Sequence, residues 1–312
     1  MTDGELLRLA RDDGPTAVFV KYCDKTNVYK LTKIRLLRRR FLLVKSGHGL
    51  PIKLIAVPQN FTLRKLTPEE YSAIAGIVPV KSCGAVYPLS IAERTQVGDI
   101  FTCGGNVLFW HKCGFAFLYG APDKAFLEEV YRRFLSPESV TERRFVLFAD
   151  DETRAYLADK PGIAVGRRYF FEFQGNAAPE ITLHEGCELH EITADNFGGC
   201  AGRITPLFSW DSSEDFLRGG KGFCVTCEGR PAAWAFSAAF SRDEIDIGVE
   251  TAEGFRRRGL AAASAAEMIR FSLGEGKRPV WACSSENVGS RRLAEKLGFV
   301  LTGECFTVTR SG

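Results

Sequence analysis

Alternation of apolar and polar residues marks short, strand-length segments along the C-terminal part of the chain, and helix-length segments separate them. From residue 244 to 251 the apolar side chains fall on alternate positions, as expected for a strand with one polar face. The alanine-rich segment 260–273 has the composition of a helix, and Gly274 ends it. The predicted order is strand 188–192, helices 194–203 and 212–217, strands 222–227, 232–240 and 244–251, helix 260–273, strand 279–283, a helix ending at 297, and strand 300–308.

A similar order of elements precedes this one. The middle of the chain predicts strand 62–66, helix 68–77, strands 106–113 and 115–119, helix 123–135, strand 145–149, helix 152–157 and strand 168–173. The two orders match although the residues themselves barely do, which indicates an old internal duplication. We therefore expect an α/β (α+β) protein with two tandem mixed-sheet domains. The predicted boundaries are an N-terminal segment at 1–58, a middle domain at 59–178 and a C-terminal domain at 179–312.

The N-terminal segment has a predicted helix at 5–11, a strand at 17–22 and a basic run at 33–45. The run has no acidic residue, and its apolar residues are too many for a disordered tail. One interpretation is a strand pair with a solvated basic edge, which also discourages edge-to-edge pairing. The other is a site for a polyanion such as RNA or a cofactor phosphate. The first is favoured, because the stacking aromatics and motif of an RNA-binding protein are absent.

A predicted strand leads into a glycine-containing loop with arginines, at the predicted start of a helix. A helix start has backbone N–H groups without partners and carries partial positive charge, so it suits a phosphate. No Ser, Thr, Asp or Asn stands directly before Leu260 to cap this helix, which indicates that a ligand supplies the acceptor oxygens. Gly259 would let that ligand approach the backbone closely. Arg256, Arg257 and Arg258 would add positive charge at the mouth.

The pattern Arg256-x-x-Gly259-x-Ala261, after a strand and at the start of a helix, resembles the pyrophosphate loop of the GNAT N-acetyltransferase superfamily. The order of the following elements also resembles that family, over roughly the last 130 residues. This resemblance implies that acetyl-CoA is the co-substrate. The residues that it implies for cofactor binding are Val249, Thr251, Arg256, Arg257, Arg258, Gly259, Leu260, Ala261 and, beside the pantetheine, Asn287.

The middle domain has no such pattern. Gly120, Ala121 and Pro122 stand at the equivalent place, before a helix that Asp123 would cap. A loop with an acidic cap and no arginine should repel a pyrophosphate. We therefore expect a degenerate, non-catalytic GNAT-like copy that shapes the cleft. Bacterial GNAT proteins with an extra N-terminal GNAT-like half, and with a signature like residues 110–115, look similar to this arrangement.

The resemblance implies direct attack of an amine on the thioester of acetyl-CoA. A backbone N–H near residues 248–251 would hold the oxyanion, because the family splays or bulges this strand. Glu244, Asp246 and Glu250 share one face of the strand, and covering that face is expensive unless it lines a wet cleft. In a cleft they would attract a cationic amine and accept its proton, with Glu250 nearest the splay. The other interpretation is an exposed face of solvated acids.

The acceptor and the leaving-group acid are less well specified. Many family members place a tyrosine four residues before the Gly-Phe glycine of the last helix, and Ala294 occupies that position here. Trp210, Asp211 and Glu214 could form an aromatic, acidic wall for an amine. Two functions follow. The first is an acetyl-CoA-dependent N-acetyltransferase that acts on a small-molecule or peptide amine. The second, consistent with Ala294, is a non-catalytic acyl-CoA sensor or a protein-interaction module.

Composition and cysteine usage add expectations about compartment and metals. The net charge of +3 is too small to indicate nucleic acid, and no apolar run is long enough to cross a bilayer. The N-terminus does not resemble a signal peptide, so we expect a cytoplasmic protein without a membrane partner. A homodimer is one possible state, and the sequence does not decide the oligomeric state. The ten cysteines are scattered, and we expect reduced thiols that serve as small core residues. Cys224 and Cys227 form the only C-x-x-C, but residues three apart on a strand suit neither zinc nor a redox pair, so no metal is expected.

Overall fold

The computed structural model describes residues 62–79, 82–141 and 143–311, together with four short strands nearer the N-terminus. The chain divides into two compact units, residues 1–60 and 61–312. The predicted helix at 5–11, the predicted strand at 17–22 and most of the basic run lie outside the described residues. In the first unit, two antiparallel pairs are described: β1 (Cys23–Asp24) with β2 (Asn27–Val28), and β3 (Phe41–Val44) with β4 (Lys53–Ala56).

The second unit is built on one mixed sheet of twelve strands. Short 3-10 helices and one π-helical turn, Tyr131–Leu135, lie between the regular elements. In chain order, the strands and α-helices are β5 (Arg64–Lys65), α1 (Val86–Ala92), β6 (Gly98–Cys103), β7 (Asn106–His111), β8 (Phe115–Tyr119), α2 (Lys124–Val130), β9 (Val146–Ala149), α3 (Asp151–Ala158), β10 (Ile163–Phe173), β11 (Cys187–Glu191), α4 (Ser213–Gly219), β12 (Gly222–Cys227), β13 (Arg230–Phe240), β14 (Glu244–Thr251), α5 (Leu260–Gly274), β15 (Arg278–Ser284), α6 (Val288–Lys296) and β16 (Phe299–Arg310).

The order of strands in the sheet is β11-β12-β13-β14-β15-β10-β16-β9-β8-β7-β6-β5. Strand β10 lies between β15 and β16 and pairs antiparallel with both. The last strand, β16, pairs in turn with β9. The predicted mixed α/β architecture is confirmed. One sheet joins the strands of the predicted middle and C-terminal domains, so the strand order does not mark where one domain ends and the next begins. The boundary between residues 178 and 179 therefore stays a prediction.

Strand β14 contacts different elements on its two faces. Ile245 and Ile247 pack against the small residues of α5, among them Ala262 and Ala265, in one hydrophobic cluster. Asp246 faces the other way and contacts Tyr87 of α1. The strand is therefore covered by helices on both faces. Among the described residues, no helix combines the length and the apolar character that a membrane span requires.

Several predicted elements differ from the structure. The helix predicted at 194–203 is wrong: only Phe197–Gly199 forms a 3-10 turn, and the glycines of this segment disfavour a helix. The helix predicted at 68–77 is instead two short 3-10 helices, Pro68–Ala73 and Ala75–Ile77. The strand predicted at 62–66 has only the two residues of β5. Sequence analysis does not predict α1, which contains Pro88, or β6.

Candidate functional site

The N-terminus of α5 lacks a capping side chain, as the sequence predicts. Gly259 stands at the N-cap position with φ 77° and ψ 0°, a left-handed conformation that favours glycine. A Cβ added to Gly259 would meet no atom within 4 Å, so the backbone conformation explains the glycine better than crowding does. By contrast, four other α-helices in the described ranges have a side-chain N-cap, provided by Asp123, Asp150, Ser212 and Asn287. In the first turn of α5 the Ala262 N–H donates to the carbonyl of Gly259, while the N–H groups of Leu260 and Ala261 have no described acceptor and are left for a ligand.

Exposed guanidinium groups surround this helix start. Arg256, Arg257 and Arg258 are all exposed, and none of them forms an ion pair with a residue that the structure describes. Arg258 lies over the Phe255 ring, with its guanidinium carbon 5.3 Å from the ring centroid. The next residue, Leu260, is buried with Val225 and Ala233, and it fixes the loop to the sheet. The predicted coenzyme loop is therefore a backbone turn that Leu260 anchors to the sheet, with three exposed arginine side chains around it.

Strands β14 and β15 separate close to this loop. They pair in parallel from Glu244 to Asp246, opposite Arg278 to Val280, and the pairing ends there. Beyond that point β14 keeps its antiparallel partner β13, where Val249 is opposite Ala235. Thr251 is the last residue of β14 and is opposite Ala233. From residue 247 onward, the backbone of β14 on the β15 side consequently pairs with no strand that the structure describes, which creates the splay that the sequence analysis expects.

The first two acidic residues of β14 are buried. Glu244 forms an ion pair with Arg278, while burial raises the pKa of Glu244 to about 7. Asp246 is 4% exposed, and burial raises the pKa of Asp246 to about 6. The Tyr87 hydroxyl donates a hydrogen bond to Oδ2 of Asp246, whereas Oδ1 has no hydrogen bond to any described atom. The alternative of an exposed, solvated face does not hold for these two carboxylates.

Glu250 occupies a different environment on the same strand. Its Oε2 accepts a hydrogen bond from the backbone N–H of Ile204. The indole Nε1–H of Trp234 donates to the carbonyl of the same Ile204 at 2.7 Å. Glu250 is half-buried and faces the loop that contains Gly202. The structure therefore holds Glu250 against the segment 194–203, which was predicted to be a helix. Glu250 does not share the buried environment of Glu244 and Asp246.

Two cavities border the splay and the loop. The first, of about 70 Å³, lies where β14 and β15 separate and includes Tyr87, Glu244 and Asp246 in its lining. The second, of about 390 Å³, lies beside the helix start and includes Arg257 and Arg258. Sequence analysis misses Tyr87, because nothing in the sequence shows that a residue 159 positions away contacts Asp246.

The predicted acceptor wall does not assemble as a single surface. Trp210 is 3% exposed, and its indole N–H donates to the carbonyl of Ser237 at 2.7 Å. Asp211 forms an ion pair with Lys112 at 2.5 Å. Glu214 lies exposed in the first turn of α4. None of the three predicted residues lines either of the two cavities.

The last helix and the cysteines also bear on the site. Oδ1 of Asn287 accepts the backbone N–H of Ser290 at 3.0 Å, so Asn287 caps α6. Ala294 is fully buried in the core. Cys187 and Cys227 form a disulfide beside the second cavity, which corrects the expectation that all thiols are reduced. Among the described residues, no group of three or more His, Cys, Asp or Glu could hold a metal ion.

Comparisons with known proteins identify the family of this chain. A family model described as GNAT acetyltransferase matches residues 94–307. The Bacillus subtilis (strain 168) protein named uncharacterized N-acetyltransferase YdfB is 24% identical over 260 residues, which are 80% of this chain and 99% of that protein. The chain therefore belongs to the GNAT acetyltransferase family, and it is an acyltransferase.

Solved structures show the same fold. The crystal structure of a GCN5-related N-acetyltransferase-like protein from Streptococcus suis 89/1591 is similar, with a TM-score of 0.61 at 22% identity, and 78% of this chain and 98% of that chain are covered. A GCN5-related N-acetyltransferase from Kribbella flavida has a TM-score of 0.53 at 18% identity, and 78% of this chain and 96% of that chain are covered. At such identities the similarity establishes the fold alone.

Proposed function

We propose that this protein transfers an acetyl group from acetyl-CoA to a primary amine of a small molecule or peptide. The observation that carries the proposal is the uncapped start of α5 at Gly259, with Arg256 and Arg257 exposed beside it. Aligned N–H groups, the helix dipole and guanidinium groups together suit the pyrophosphate of coenzyme A. The splay between β14 and β15 supplies a channel of unpaired strand backbone for the pantetheine arm.

The proposed reaction is direct attack of the neutral amine on the thioester. The nitrogen lone pair forms a bond to the carbonyl carbon, and the carbonyl oxygen becomes an oxyanion. A backbone N–H of β14 in the unpaired segment, at Val249, would stabilise that oxyanion. The carbon–sulfur bond then breaks, and coenzyme A leaves as a thiolate that takes up a proton. The surplus proton on nitrogen passes to a carboxylate or to water.

We propose Glu250 as the group that accepts this proton. It lies on the part of β14 that pairs with β13 but no longer with β15, on the same face as Asp246 and Glu244. The N–H of Ile204 fixes one of its oxygens, so the carboxylate is held in one orientation. A positioned carboxylate typically contributes about 10²–10⁴-fold to such a proton transfer.

The test measures thiol release from acetyl-CoA with a panel of amines, for the wild type and for Glu250→Gln. We expect acceptor-dependent release by the wild type and at least a tenfold decrease in kcat for the variant. The matched control is Glu253→Gln, an exposed neighbour in the loop. Calorimetry with coenzyme A accompanies the kinetics. Binding without any acceptor-dependent release would favour the alternative, a non-catalytic acyl-CoA sensor, which the buried Ala294 also suits.

A further inference from the structure

The cavity of about 70 Å³ at the separation of β14 and β15 has an unusual lining. Among the residues that the structure describes, the charged ones in its lining are all acidic: Glu172, Glu244 and Asp246. The described lining also includes aliphatic and aromatic side chains, among them Val280 and Phe170, together with Ser82, Cys83 and Thr302. A space of this size accepts a short chain of a few heavy atoms but no aromatic ring system or folded peptide.

Within the described part of the chain, Asp246 is the acid in this lining that forms no ion pair. Glu244 forms an ion pair with Arg278, which also lies 3.9 Å from Glu172. No described Lys, Arg or His comes within ion-pair distance of Asp246. The positive charge of Arg168 lowers the pKa of Asp246, but the Arg168 guanidinium donates its hydrogen bond to the carbonyl of Ala282 at 3.0 Å.

The hydrogen bonds of Asp246 are also incomplete. Tyr87 satisfies Oδ2, but Oδ1 is buried without a donor from any described residue. A buried carboxylate oxygen without a partner is costly, so such an atom normally has a ligand or another function. This atom and the cavity are independent observations that point to the same missing partner, a cation with N–H donors.

Building on the proposed function, we propose that this cavity binds the acceptor as its ammonium ion, and that the acceptor is a small, unbranched alkylamine. Before attack, the ammonium transfers one proton to the Asp246 carboxylate and becomes the neutral amine; the second proton, released from nitrogen after attack, passes to a carboxylate or to water as described above. An ammonium has three donors and no acceptor, which matches the unpartnered oxygen of Asp246 and the nearby hydroxyl group of Thr302. The aliphatic walls suit the methylene chain. The position at the vertex of the splay places the amine beside the unpaired backbone of β14.

The first test measures binding without chemistry. Calorimetry with n-butylamine uses the full-length protein, and n-butanol serves as the uncharged probe of the same shape. We expect n-butylamine to bind and n-butanol to bind at least tenfold more weakly. Asp246→Asn should weaken n-butylamine binding at least tenfold, while Asp195→Asn, an exposed control, should leave it unchanged. Equal binding of the two probes, or unchanged binding by Asp246→Asn, would overturn the proposal.

A second variant guards against misfolding. Tyr87→Phe removes the hydroxyl that neutralises part of the carboxylate charge but keeps the carboxylate itself. If Asp246→Asn does not fold, as judged by its thermal melt, Tyr87→Phe should still bind n-butylamine at least as tightly as the wild type. Loss of amine binding in a folded Tyr87→Phe protein would contradict the proposal.

A kinetic arm separates this inference from the proposed function. Acetyl-CoA is offered with linear alkylamines of increasing length and, separately, with peptides that have a free N-terminus. We expect a higher kcat/KM for the alkylamines, with the KM for amine raised in Asp246→Asn. Acetylation of peptides alone, unaffected by Asp246→Asn, would refute the cavity assignment and leave the transferase function standing. No binding of acetyl-CoA and no acetylated amine would refute the function itself, whatever the calorimetry with n-butylamine shows.

Discussion

Replacing Asp246 with asparagine should make the protein more stable, and the gain should depend on pH. Burial raises the pKa of the Asp246 carboxyl to about 6, from an ordinary value of 3.8. The folded state therefore holds the proton more tightly than the unfolded state does. Asparagine has a similar shape and does not titrate, and its amide oxygen can still accept the hydrogen bond from Tyr87.

The magnitude follows from the difference between the two pKa values. A difference of roughly 2 pH units corresponds to about 3 kcal/mol of free energy of unfolding. Because the folded-state pKa is raised, the stabilising contribution of the protonated carboxyl is fully present below about pH 4. It is lost as the pH rises through about 6. Above about pH 7 the wild type therefore carries a buried charge that Asp246→Asn lacks.

Urea unfolding across the range from about pH 4 to pH 8 tests this reasoning. The free energy of unfolding of Asp246→Asn should equal that of the wild type near pH 4 and exceed it by up to about 3 kcal/mol near pH 8. The matched control is Asp195→Asn, an exposed residue, which should follow the wild type throughout. A difference that stays constant with pH, or that is largest in acid, would refute the assignment of a raised pKa to Asp246.

Further predictions concern the coenzyme loop and the disulfide. Arg256→Glu should weaken coenzyme A binding about tenfold or more in calorimetry, whereas Arg292→Glu, on an exposed part of α6, should not; equal affinities would contradict the phosphate site. Gly259→Val should lower the free energy of unfolding by about 1–2 kcal/mol, because valine resists the left-handed backbone at φ 77°; an unchanged urea midpoint would exclude that strain. Cys187→Ser should destabilise the oxidised protein by about 4 kcal/mol, since the bond to Cys227 spans 40 residues, and should match the wild type under reducing conditions.

The conformation of the loop before α5 was predictable because its signals are local. The strand at Glu244–Thr251 is found with the predicted bounds, since alternation over eight residues gives a clear period. The missing cap before Leu260 is likewise visible in a few consecutive letters and is present in the structure. The helix at 194–203 fails for a local reason too, because its glycines outweigh a weak apolar pattern.

The environment of the acidic strand could not be predicted, because it depends on distant contacts. Periodicity places Asp246 and Glu250 on one face, but it does not show that Tyr87 covers one and that Ile204 holds the other. Trp210 illustrates the same limit: an aromatic residue in the expected acceptor segment packs in the core and donates to Ser237. Pairing of residues far apart in the chain is decided by tertiary structure, for which a single sequence gives no direct signal.

The place of β10 in the sheet has a consequence for biosynthesis. Both neighbours of β10, β15 and β16, are translated after it, so its two hydrogen-bonding edges stay open until the C-terminus emerges from the ribosome. Unpaired edges invite association with other nascent chains. A fragment of residues 179–312 would lack β10, the strand that separates β15 from β16, and would therefore have a gap in the middle of the sheet.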